Sequence, residues 1–169
     1  MKVFFAVFKK EIKAYVDHPL AYILAIVFLA INHFLFFRAA AVEQIMSLRA
    51  MFGLMPWMLL FFVPALTMRS WAEERKEQTL SLLLSYPAQV WVIVAGKFAA
   101  AWAFVSGILL VSLTIPVSLG QAGDFDIGVV MAQYVGAILL AGAMVAVGQW
   151  SSSLTKNQVV AFIVAIAVL

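Results

Sequence analysis

Apolar side chains run through this chain in long unbroken stretches. Residues 18–37, 50–68, 98–123 and 127–155 contain no Asp, Glu, Lys or Arg. Each stretch is close to, or longer than, the roughly 18–20 residues a helix needs to cross a bilayer. The pattern predicts an all-α fold, a polytopic transmembrane helical bundle forming one domain over residues 1–169. Its spans fall at about 20–37, 50–68, 98–119, 127–150 and 158–169. At about 1.5 Å of rise per residue, the last covers about 18 Å of a ~30 Å hydrocarbon core. The expectation is therefore a C-terminally truncated chain that stops inside a fifth span.

Two segments break the pattern. In residues 1–18, helical spacing places Phe4, Phe5, Phe8, Ile12, Tyr15 and Val16 on one side and Lys2, Lys9, Lys10, Lys13 and Asp17 on the other. This predicts an amphipathic helix lying in the membrane interface, its lysines turned to head groups or a partner. Pro19 restricts His18 and ends that helix. The second exception, residues 69–97, is too patterned for a linker. Ser70 followed by Glu73 is a capping-box signature, and Arg69/Glu73 is an i,i+4 pair. Leu80 and Leu82–Leu84 form an apolar end before Pro87, with Trp91 and Lys97 as interfacial aromatic and snorkelling lysine. A short charged helix held between two spans has the properties of a docking lever.

Composition sharpens the class. Of 169 residues, 66% are hydrophobic and 11% charged, against roughly 25% charged in a soluble domain. The absence of cysteine removes disulfides, iron–sulfur clusters and thiolate zinc sites. Nine of the eleven Lys and Arg residues fall on one side of the alternating topology, with Arg38 and Arg49 on the other. The positive-inside bias then puts the N-terminus in the cytoplasm. The +3 charge matches loops beside anionic lipid, with no nucleic acid required. No cleavable signal peptide is readable, because Lys9, Lys10 and Lys13 interrupt any apolar core there.

Catalytic patterns are missing from the sequence. There is no HExxH or GxSxG, and the Gly96-Lys97 pair has Trp91 at the first glycine position of a phosphate loop and Phe98 at its Ser/Thr position. The chain is therefore expected to be no enzyme and to bind no cofactor or metal. Within the spans, His33, Gln133 and Gln149 are candidates for a transport pathway or for interhelical hydrogen bonds. Pro56, Pro64 and Pro116 permit kinks, and Ala132/Gly136 and Gly142/Ala146 give small-xxx-small spacing for close packing.

The run from Pro64 to Pro87, PALTMRSWAEERKEQTLSLLLSYP, resembles the segment after the second span in exporter permeases of the ATP-binding-cassette type-2 class, close to the gliding-motility-associated branch. Gly96-Lys97-Phe98 and the stretch SSSLTKNQVVAF from Ser151 to Phe162 extend the resemblance over nearly the whole chain. Family members commonly carry Gly before the Thr-Leu pair and Glu after it, where this chain has Gln78 and Ser81. The resemblance implies a permease subunit in a bacterial cytoplasmic (inner) membrane. Its partners would be a second permease subunit, homo- or heterodimeric, an auxiliary membrane subunit and a cytoplasmic ATPase that hydrolyses Mg-ATP. It places the ATPase-coupling interface at Glu73, Glu74, Arg75, Thr79 and Leu80, with interfacial-helix contacts from Lys9, Lys10 and Lys13. The rival readings are an ATP-independent secondary carrier or channel, and a structural membrane anchor.

Overall fold

The computed structural model describes residues 2–43, 49–80, 89–114, 117 and 127–169. Their secondary structure is entirely helical: α1 (Lys2–Asp17), α2 (Pro19–Glu43), α3 (Arg49–Thr67), α4 (Arg69–Lys76), α5 (Val90–Val111), α6 (Ile127–Leu154) and α7 (Gln158–Val168). Leu82–Leu84, Pro87 and Pro116 lie outside the described residues.

Four stretches are long and apolar enough to cross a membrane: Pro19–Arg38, Met51–Lys76, Val90–Val111 and Ile127–Leu154. The second joins α3 to α4 across a break at Met68 alone. The helix of the expected third span begins at Val90, ahead of Lys97 rather than after it. Pro19 opens α2 at its first position, where a missing N–H costs nothing, and His18 Nδ1 accepts from the Leu20 amide at 3.2 Å. Pro56 and Pro64 both sit inside α3 without ending it.

α3 and α6 form the centre, with α2 and α5 packed beside them and α7 against α6. Met55, Leu59, Val63, Val105, Leu109 and Val145 make the apolar core. Close approach is built from small residues: a Cβ on Gly148 would fall inside contact distance of Thr67 Oγ1. Of the small-residue pairs read from the sequence, Gly142 packs under Trp102 of α5, whereas nothing approaches Gly136.

Polarity is distributed opposite to a soluble domain. Asn32, Thr67, Lys97, Ser112, Gln149, Ser151 and Ser152 are buried, while Ile26, Phe34, Trp57, Phe61, Leu139 and Ile163 are among many large apolar side chains left exposed. In water such a surface would aggregate; in lipid it meets its own kind of solvent.

α1 packs along α5. Val7 lies over Gly96, Glu11 bonds Lys97, and Tyr15 stacks on Phe104 with ring centroids 5.3 Å apart. These pairs advance together on both helices, so the two run side by side in the same direction. Lys9, Lys10 and Lys13 are exposed, and so are Phe5 and Val16 of the expected apolar face. Glu11, however, turns inward among the apolar positions.

Candidate functional site: the polar seat of α4

α4 has only eight residues, too few to be stable in isolation. Three sets of side chains hold it. The first is at its N-terminus. Ser152, near the end of α6, donates to the Met68 carbonyl at 2.8 Å and accepts the Trp71 and Ala72 amides at 3.0 and 3.1 Å. Two otherwise orphaned helix-start donors are thus satisfied from another helix. The capping box expected within α4 does not form. Met68 is the cap residue, with no side-chain bond, and Ser70 Oγ is buried without a partner. Glu73 is drawn instead to Arg69, two of whose nitrogens lie 3.1 and 2.5 Å from its oxygens.

The second is Lys97. Where a snorkelling side chain was expected, its side chain is 2% exposed. The ammonium lies 2.9 Å from Glu11 Oε1, 3.0 Å from Glu74 Oε1 and 3.0 Å from the Ser70 carbonyl, so each of its three donors has an oxygen. It also stands 5.0 Å from the centroid of the Trp71 ring, within cation–π range. Lys10 adds a second cation 3.5 Å from Glu74. One buried lysine therefore ties α1, α4 and α5 together. The third contact is the Arg69 guanidinium, which abuts the His18 ring at the α1–α2 joint. Nearby, burial pushes the Tyr15 phenol above its ordinary value, and the Glu11 charge adds to the effect.

α4 ends in a Schellman-type cap. The Thr79 amide bonds the Glu74 carbonyl at 3.0 Å, and Gln78 between them takes a left-handed φ of 59°. This is the position where the resemblance expects glycine.

Of the residues expected at a coupling interface, Glu73 and Glu74 are engaged by Arg69 and by Lys97 with Lys10. Arg75, Thr79 and Leu80 are half-buried, and Lys76 and Glu77 are exposed beside them. His33, at the opposite end of the bundle, bridges helices: Nδ1 lies 2.7 Å from the Leu29 carbonyl and Nε2 3.3 Å from Thr114 Oγ1. Since a carbonyl only accepts, Nδ1 donates to Leu29. Gln133 lines a groove of about 390 Å³ between α3 and α6, and Gln149 is buried with its Nε2 unpartnered. Among the described residues, no group of His, Asp and Glu side chains is arranged to hold a metal ion.

Glu11, Ser152 and Lys97 were the residues that sequence reasoning missed or misplaced. Only Glu11 left a signal, a carboxylate out of register with the lysine face.

A family model described as ABC-2 family transporter protein matches residues 5–169. The chain belongs to that family. With its four apolar helices it is a multi-pass membrane protein and a membrane permease of an ABC transporter. No curated protein and no solved structure matches it.

Proposed function

We propose that this ABC-2 permease is an exporter subunit of a bacterial inner membrane, of the gliding-motility-associated branch, with its N-terminus in the cytoplasm. A separate ATPase binds and hydrolyses Mg-ATP, and a second permease completes the path. The observation that carries the reading is the seating of α4: a short helix, fixed through Ser152, Lys97 and Arg69, cannot move without moving α1, α5 and α6. A push on its free face is therefore delivered to the spans instead of being absorbed locally. Arg75, Thr79 and Leu80 form the docking face, helped by Glu73 and by Lys9, Lys10 and Lys13. Glu74 acts inward, as the tie to Lys97.

The test is recovery of partners by the tagged full-length protein from its native membrane. Wild type should bring down an ATPase carrying a phosphate-binding loop. Arg75→Glu with Lys76→Glu should reduce that recovery at least tenfold while leaving membrane insertion unchanged. Recovery of an intact permease with no ATPase would overturn the reading and favour an ATP-independent carrier or an anchor.

A further inference from the structure

The charges at the α4 end fall into two sets. Inside the seat, three cations, Lys10, Arg69 and Lys97, meet three carboxylates, Glu11, Glu73 and Glu74. The seat is therefore neutral as a unit. Outside it stand Lys9, Lys13, Arg75, Lys76 and Lys156, with two carboxylates, Asp17 and Glu77. Among the described residues none of these seven makes an ion pair. All are exposed except Arg75, which is half-buried. The five cations surround α4. Arg75 and Lys76 belong to its last turn. Lys9 and Arg75 are the sequence neighbours of Lys10 and Glu74, the pair through which α1 and α4 meet. Lys156 lies just before α7, which packs on α4. Retention of positive charge on the cytoplasmic side accounts for basic residues at this end. It does not account for the acids: three of the five at this end are turned into the seat, and the face left to a partner is cationic.

We infer that the ATPase receives α4 in an acidic socket, lined by Asp and Glu, and that charge attraction between the two surfaces speeds their docking. The inference rests on the reading of α4 as the ATPase contact and adds the chemistry of the opposing surface. Unpaired, exposed cations spread over neighbouring elements steer an oppositely charged surface toward them and turn a basic one away. An anionic membrane would attract the same cations. It does not fit α4, however, because α4 exposes no large apolar side chain with which to insert, its Trp71 being buried in the bundle. An acidic protein groove needs no such anchor. Glu77, exposed at the end of α4, has the wrong sign for that groove, and its carboxylate opposes docking.

The experiment uses the full-length permease in nanodiscs of phosphatidylcholine alone, so that no anionic lipid contributes, with the phosphate-loop ATPase recovered alongside the tagged protein. Association and dissociation are followed by biolayer interferometry at about 50 and about 500 mM NaCl, because salt screens exposed charges. The wild-type association rate should fall about tenfold at the higher salt. Arg75→Gln with Lys76→Gln, and separately Lys9→Gln with Lys13→Gln, should each slow association about threefold at low salt and flatten the salt dependence. Glu77→Gln should speed association about twofold, a gain that a merely structural role for this residue would not give. Arg38→Gln, the same loss of charge at the opposite end of the bundle, should change nothing. A zero-length carbodiimide, which joins an amine to a carboxylate, should link Lys9, Lys13, Lys76 or Lys156 to Asp or Glu of the ATPase. Association indifferent to salt, or slowed by Glu77→Gln, would overturn the acidic socket while leaving α4 as the ATPase contact. Absence of any ATPase binding would remove the reading beneath it as well. Docking that requires added phosphatidylglycerol would assign the cations to the membrane and overturn the inference.

Discussion

A single buried lysine carries much of the architecture, and its cost explains its partners. An ammonium taken from water is destabilising unless oxygens replace its hydration, and Lys97 has three within 3.0 Å. Removing Lys97 alone leaves Glu11 and Glu74 facing each other with only the exposed Lys10 beside them. Lys97→Met is expected to cost about 3–5 kcal/mol, read by reversible unfolding in mixed micelles. Adding Glu11→Gln and Glu74→Gln to it should recover most of that loss. An unchanged stability for Lys97→Met would show that the lysine is not seated as described. Gln78 gives a prediction of the opposite sign. A left-handed φ costs a side-chain-bearing residue about 1–2 kcal/mol that glycine avoids. Gln78→Gly should therefore stabilise the end of α4 by about 1 kcal/mol, visible as slower amide exchange at Thr79.

At the scale of elements, helix existence and helix seating had different legibility. The spans could be read from uncharged runs because lipid imposes one requirement on every residue of a crossing helix. Pro19 announced the joint between α1 and α2 because its chemistry is local. The seating of α4 could not be read, since Ser152 meets Trp71 and Ala72 across about eighty residues of sequence, and nothing near Ser70 signals that a remote serine will take over its capping role. Lys97 beside an apolar run reads as snorkelling for the same reason: its partners Glu11 and Glu74 come from other helices. Helix spacing is likewise set by pairs that sequence does not join. Gly148 accommodates Thr67, whose hydroxyl is committed to the Val63 carbonyl at 2.9 Å and cannot swing away freely. Gly148→Ala should destabilise the packing of α3 on α6 by about 1–3 kcal/mol. Thr67→Ala in the same chain should restore most of it, because the nearest atom to the added methyl is the hydroxyl oxygen, which this change removes. Additive losses in that double variant would rule out the close approach.

For the whole molecule, the polar interior and apolar exterior fix the solvent as lipid, and the charges then choose which end faces which compartment. α1, α4 and the start of α5 gather at one end of the bundle with Lys9, Lys10, Lys13, Arg69, Arg75, Lys76 and Lys97. The opposite end holds His33 and the start of α6 at Ile127. Positive loops are retained on the cytoplasmic side during insertion, so the α4 end should lie inside the cell, where an ATPase could reach Arg75. The chain has no cysteine, and introduced thiols therefore report without background. Lys13 and Ile127 are both exposed and stand at opposite ends. In intact cells with a permeable outer layer, a membrane-impermeant maleimide should label Ile127→Cys and spare Lys13→Cys. In inverted vesicles the pattern should reverse. Labelling of Lys13→Cys from outside would place α4 away from ATP, and the coupling function would then have to be given up even though the fold and the family stand.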